Sequence, residues 1–337
     1  MRDVAAAAGV SLKTVSRVVN EESGVSAALA ERVRVVVQEL DFRPDAGASN
    51  LRRADRRTGT IALLLQDVSN PWSSTMQRAV EDVAARRGVL VLSASTDEDP
   101  VRERELTRAL GSRRVDGIVL APTGDDHGDL AAAAGPGTVL VCVDRAAVGL
   151  TADSVVTTNT EGARDGVRHL LTLGHRRVAL LADDVRIRTA VQRHEGYLQA
   201  HTAARLPADP GLAVHGLRSA AAAREAVARL LTGPAPPTAL FTAQNLITVG
   251  ALHALRDLGL QRSVALVGFD DVPLAELLRP GLTVVAQDPA AIGRRAAEVL
   301  FERLDGATGP PRCHVVPTEL VPRGTGEIPP PAAPPAW

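Results

Sequence analysis

Residues 3–20 read DVAAAAGVSLKTVSRVVN. Val4, Ala5 and Ala8 recur three and four apart, Gly9 interrupts them, and Ser11 opens a second run carrying Val15, Val18 and Val19, so the stretch predicts helix, tight turn, helix. Gly9 suits the bend because it lacks the Cβ that penalises a left-handed backbone, and Ser11 can accept a hydrogen bond from a free amide of the helix it starts. The opposite face of the second helix shows Leu12, Lys13, Thr14, Ser16 and Arg17, chemistry for base edges and phosphates on a rod narrow enough for a DNA major groove. Lys13 and Arg17 are expected to face guanine O6/N7, and Leu12 a thymine methyl. Downstream, Ser26 can cap a third helix with Leu29, Val33, Val36, Val37 and Leu40 as its inward stripe, which closes a small bundle ended by Arg43-Pro44.

The pattern DVAAAAGVS followed by TVSRVVN resembles the DNA-binding headpiece of the lactose-repressor family of bacterial transcription regulators. The match continues through Val25-Ser26, Glu31-Arg32-Val33, Leu40-Asp41-Phe42-Arg43-Pro44 and Leu51-Arg52. The resemblance implies double-stranded operator DNA as partner, met by Ser11, Leu12, Lys13, Thr14, Ser16, Arg17, Asn20 and Ser26. It also implies that residues 45–51 (DAGASNL) form a hinge helix that pairs with its dimer mate in the minor groove, with Ala48 and Asn50 at the DNA and Leu51 as the wedge that unstacks a base step. Gly47 costs about 1 kcal/mol against Ala in a helix, so this segment is expected to fold only on DNA. The family usually carries a few residues, including a Thr cap, before helix one. Here Met1-Arg2 stands instead, so either the start codon lies upstream or helix one is poorly capped.

Composition agrees without deciding. A chain of 337 residues, 45% hydrophobic, suggests two or more domains with real cores. Lys13 is the sole lysine among 38 basic residues, which reads as compositional bias toward Arg. Net charge is −1, and residues 1–57 hold ten Lys and Arg against eight Asp and Glu, so a basic face must come from local placement. Cys142 and Cys313 sit in apolar strand-like runs without metal-ligand spacing. No secretory signal opens the chain and no apolar run approaches a membrane span, so a cytoplasmic protein is expected.

From Thr60 the pattern changes. Strand candidates at 60–66, 89–95, 117–121, 138–144, 154–158, 176–182, 238–243, 264–269 and 282–287 alternate with helices such as 73–87, 101–111, 161–173, 219–232 and 289–304. Repeated strand–helix units imply parallel sheets covered on both faces, and the length favours two sheets. The expected fold class is therefore α/β: an N-terminal all-α helix-turn-helix headpiece (1–44), a hinge helix and linker (45–59), and a two-lobed core of doubly wound parallel sheets (60–323). The resemblance makes that core periplasmic-binding-protein-like, with an N-lobe of 60–157 plus 289–312 and a C-lobe of 158–286 plus 313–323. Three crossings would make a hinge around a cleft. Residues 324–337, ending IPPPAAPPAW, are expected to be an extended, solvated, disordered tail, and without leucine heptads a homodimer follows rather than a tetramer.

Ligands of such sheets sit at the carboxyl ends of strands. The candidate effector residues there are Asn70, Trp72, Asp144, Gln244, Asp270 and Gln287, with Trp72 offering a flat face to a sugar ring or a base. Arg193 matches the family's effector-binding Arg, and Arg218 falls where the family often places an aromatic. Asp67 and Asp271 can equally be loop or helix caps. The family commonly has Asn-Asp where this chain has Gln244-Asn245, which weakens direct transfer of a known effector. A sugar or sugar derivative comes first, a nucleoside or purine second, and a carboxylate or phosphate held by Arg193 and Arg218 stays open. No cofactor is implied.

His169 and His175 flank Leu173-Gly174, and His175 is expected at a helix end for structural reasons rather than catalysis. An enzyme on a doubly wound fold is a competing class, as is a constitutive DNA-binding protein whose core only dimerises. The phosphate, dinucleotide, zinc-protease and nucleophile-elbow motifs are all missing. The sequence thus reads as a DNA-binding repressor whose operator affinity is switched by a small-molecule effector, and not as an enzyme.

Overall fold

The computed structural model describes residues 1–19, 22–42 and 57–331, in a chain that divides into units Met1–Thr60 and Ile61–Trp337. Asn20, Ala48, Asn50, Leu51 and the rest of the hinge stretch 45–51 lie outside the described residues.

In the first unit α1 (Arg2–Ala8), α2 (Leu12–Val19) and α3 (Ala27–Glu39) close on Val4, Ala5, Ala8, Val15, Val18, Val33 and Val36. Gly9 ends α1 at φ 64°, the left-handed turn the sequence required. Met1 stands at the N-cap of α1 and makes no side-chain capping bond. Leu40 departs from its expected inward place. It follows the last turn of α3, is 48% exposed, and Phe42 packs against the bundle instead.

The second unit carries two six-stranded sheets. The first runs β11-β5-β4-β3-β1-β2, built from β1 (Thr60–Leu65), β2 (Leu90–Ser95), β3 (Gly117–Leu120), β4 (Val139–Asp144), β5 (Asp153–Thr157) and β11 (Cys313–Val316). The second runs β12-β10-β9-β8-β6-β7, from β6 (Val178–Leu181), β7 (Ala213–Val214), β8 (Ala239–Thr242), β9 (Ala265–Phe269), β10 (Thr283–Ala286) and β12 (Glu319–Val321). At the edge of this second sheet β12 pairs antiparallel with β10.

Alternation explains why helices cover both faces. Ile61, Leu63 and Leu65 point one way, onto α4 (Pro71–Ala85) and α11 (Pro289–Leu304). Ala62 and Leu64 point the other way, toward α5 (Pro100–Ser112) and α6 (Leu130–Ala134). In the second sheet α9 (Ala220–Thr232) and α10 (Asn245–Asp257) cover one face, α7 (Asn159–Thr172) and α8 (Arg188–Ala203) the other. Four helix pairs cross so closely that only glycine fits: a Cβ on Gly111 of α5 would run into the Ala134 carbonyl oxygen, one on Gly196 of α8 into that of Thr160, one on Gly250 of α10 into that of Ala220, and one on Gly293 of α11 into that of Met76.

All nine strand candidates are strands, but one lobe boundary moves. Residues 313–316, expected in the C-lobe, pair in parallel register with Ser154–Thr157 and so extend the N-lobe sheet; the chain crosses only at Pro317-Thr318. That crossing is tied to the one after β5 by the Thr318 amide donating to Thr158 Oγ1 at 2.9 Å.

The tail expectation also fails from 324 to 331. Thr325 is buried and exchanges hydrogen bonds with the Leu266 backbone, its Oγ1 donating at 2.7 Å. Ile328 is 9% exposed in the C-lobe core, His175 Nε2 meets the Ile328 carbonyl at 2.9 Å, and His169 meets Glu327. The prolines do preclude a helix here, yet an extended chain can still be pinned through its carbonyls and one apolar side chain.

Candidate functional site

The α2 surface is set by its cap. Ser11 Oγ accepts the Thr14 amide at 3.1 Å and lies 2.9 Å from Thr14 Oγ1, so both hydroxyls face the helix start. Val15 and Val18 are buried, which leaves Leu12 and Lys13 exposed and Thr14, Ser16 and Arg17 half-buried. Arg17 lies along the α2–α3 turn, its Nη1 3.6 Å from where a Cβ on Gly24 would sit. Ser26 occupies the N-cap position of α3 without a side-chain capping bond, contrary to expectation, so its hydroxyl is not spent on the helix.

Within the core, strand ends converge on a polar cleft lined by Asn70, Trp72, Asp144, Arg145, Asp183, Arg193, Gln244, Asn245, Asp270 and Gln287. Asp144 and Asp270 end β4 and β9 and both take a left-handed backbone, φ 66° and 71°, an unusual conformation for a residue with a Cβ. Asn70 and Asn245 exchange two side-chain hydrogen bonds across the lobes, at 2.7 and 3.2 Å. The cleft narrows between them to a cavity of about 40 Å³.

Each arginine in the cleft is committed. Arg145 pairs with both oxygens of Glu98, at 2.7 and 3.2 Å, and with Asp144 at 3.0 Å. Arg193 donates Nε to Asn159 Oδ1 at 2.8 Å and Nη1 to the Ala243 carbonyl at 2.7 Å, lies 3.8 Å from Asp270, and stacks 3.9 Å over the Phe269 ring. Burial pushes the Asp270 carboxyl up, against the pull of Arg193 and of Gln287 Nε2, which donates to it at 2.5 Å. Burial also pushes Asp183 up. Behind the cleft, Glu103 accepts the Thr123 amide at 2.9 Å and burial pushes its carboxyl up to about 7.

Seven of the eight candidate effector residues line this cleft. Arg218 does not: it is exposed, donates Nη2 to the Asp97 carbonyl at 3.1 Å, and lines a separate cavity with Glu98, Asp184 and Arg186. The edge position just after β7 carries it out to the rim. Gln244 lines the cleft, but its Oε1 caps α10 by accepting the Leu246 and Ile247 amides at 2.9 and 3.2 Å. Arg193 and Asp270 stand together on the C-lobe, 3.8 Å apart. Asp67 and Asp271 hold loops: Asp67 accepts the Ser69 amide and hydroxyl, and Asp271 pairs with Arg323 at 2.6 Å. Asp183 and Glu98 were missed, although each follows a strand and the strand-end rule that found the others would have found them.

Residues 1–45 match the family model described as bacterial regulatory proteins, lacI family, and residues 167–325 that of a periplasmic binding protein-like domain. The chain is 32% identical over 326 residues to the HTH-type transcriptional regulator DegA of Bacillus subtilis strain 168, covering 95% of this chain and 96% of that one. It is 32% identical over 311 residues to the ribose operon repressor of Escherichia coli strain K12, covering 91% and 94%. The lac repressor dimer bound to operator and the anti-inducer ONPF is similar in structure, with TM-score 0.84 and 27% identity over 96% of this chain and 98% of that one.

Proposed function

The chain belongs to the lacI family of bacterial regulatory proteins, and from that premise we propose that its cleft is the receiver of a sugar-class effector that resets operator affinity. The protein is a DNA-binding transcriptional repressor and not an enzyme. It acts as a homodimer on operator DNA, with α2 as reading helix and the cytoplasm as its compartment. Among the described residues no helix is long and apolar enough to cross a membrane.

One observation carries the effector reading: the bonds that join the lobes, Asn70 to Asn245, lie inside the polar cleft itself. Small-molecule sites run to about 300–1,000 Å³, so a sugar entering a 40 Å³ space must part those amides and take their place. The ligand therefore has different affinities for the two lobe arrangements, which is the condition for a switch. Trp72 and the amides of Asn70, Asn245 and Gln287 suit a hydroxylated ring. A phosphate or carboxylate effector is disfavoured, because Arg218 stands outside and Arg145 and Arg193 are already committed.

The test is operator affinity by fluorescence anisotropy, with and without a panel of pentoses, hexoses, disaccharides and nucleobases. A wild-type shift of about 5–150-fold with a sugar is expected, and Asp270→Asn should erase that ratio. A sugar that binds the core yet never changes operator affinity would overturn the reading.

A further inference from the structure

We propose that the effector carries a positively charged nitrogen beside its hydroxyl groups, as an amino sugar does, and that Asp183 receives the ammonium. This rests on the effector reading above and names the ligand class within it.

Asp183 follows β6, lines the cleft and is 8% exposed. Its Oδ1 accepts the Asp184 amide at 2.7 Å, and among the described residues no cationic side chain lies within salt-bridge distance. The other acids of the cleft are matched: Asp144 pairs with Arg145, whose far edge Glu98 holds from outside the cleft, and Asp270 faces Arg193. The lining of the cleft thus sets three carboxylates against two guanidiniums, and the surplus one is Asp183. Arg218 and Arg145 act on it only through their distant fields, while Asp184 beside it adds negative charge.

A buried carboxylate without a counter-charge is costly, so its place in a ligand cleft calls for a cation that arrives with the ligand. Hydroxyl recognition is provided separately. Among the described residues the buried Nε1 of Trp72 and Oε1 of Gln287 have no hydrogen-bond partner, one a donor and the other an acceptor, and both residues line the cleft. A neutral sugar would satisfy these two atoms and leave Asp183 unmatched. An anionic sugar would meet Asp183 with like charge.

The experiment titrates the full-length protein by calorimetry with D-glucosamine and D-galactosamine, their parent sugars, their N-acetyl forms and glucose 6-phosphate, repeated on Asp183→Asn. An amino sugar should bind wild type at least about tenfold tighter than its neutral and N-acetyl counterparts, and the phosphate should not bind. Asp183→Asn should lose that preference. It keeps an oxygen for the Asp184 amide, so its melting temperature without ligand should rise. The proposal is overturned by equal binding of neutral and amino sugars, by a preference that survives Asp183→Asn, by a lowered melting temperature, or by no amino sugar binding at all. A neutral sugar that shifts operator affinity would in that case leave the effector reading standing.

Discussion

Asp144 and Asp270 hold the same station in the two lobes, each ending a central strand in a left-handed turn, yet their charges are handled differently. On the N-lobe the neutralising Arg145 is the next residue in the chain, and Glu98 grips its other edge. On the C-lobe the guanidinium arrives from α8, held by Asn159, the Ala243 carbonyl and the Phe269 ring, and touches Asp270 only at 3.8 Å. The N-lobe half is a closed ionic unit, whereas the C-lobe half keeps polar capacity turned to the cleft. Equivalent backbone geometry therefore does not fix equivalent chemistry; the side chains one helix away decide it.

The largest test of that contrast removes each arginine. Arg145→Ala strands two nearly buried carboxylates and should cost about 3–5 kcal/mol in urea unfolding at pH 7.5. Arg193→Ala strands one, which Gln287 still serves, and should cost about 2–3 kcal/mol. Equal losses would break the comparison. Where the lobes are alike, at their close helix crossings, Gly250→Ala and Gly293→Ala should each cost about 1–3 kcal/mol, because the clash is with backbone that cannot swing away.

A smaller effect has opposite signs in the two lobes. Glu103, on the N-lobe, has a folded pKa raised from 4.5 to about 7, so its contribution to stability is complete below pH 4.5 and is lost as pH rises through 7. Glu103→Gln should keep the Thr123 bond, stabilise by about 1–2 kcal/mol at pH 8 and change nothing at pH 4.5. On the C-lobe, burial lowers the pKa of His201, whose ring packs beside Tyr197, against a smaller opposing pull from the Leu206 backbone. Its contribution is present above pH 6.5 and lost as pH falls through the lower folded value, so His201→Phe should flatten the acid side of the profile. Thermal melts from pH 4.5 to 8 read both; slopes of the same sign would contradict the assignments.

These contrasts also mark what the sequence could tell. Strands such as Thr60–Leu65 and Ala265–Phe269 announce themselves because both faces are buried and the runs are unbroken. Cys313–Val316 is a half-exposed edge strand whose alternation is too short to read, and its partner Ser154–Thr157 lies 159 residues away. The cleft was legible at strand ends, since topology alone places Asp144, Asp270 and Gln287 there. Arg218 was not, because a two-residue strand gives no register. Gln244 reads the same as ligand or cap until the Leu246 and Ile247 amides are seen.

The pinned C-terminal segment decides where a gene can be cut. An expression clone that stops at residue 323, where the Pro-rich composition begins, discards Thr325, Glu327 and Ile328 and leaves His169 and His175 facing water from an opened core. A purification tag or fluorescent reporter belongs after residue 331, and a product that precipitates when shortened to 323 owes it to that missing strip rather than to any fault in its sensing cleft.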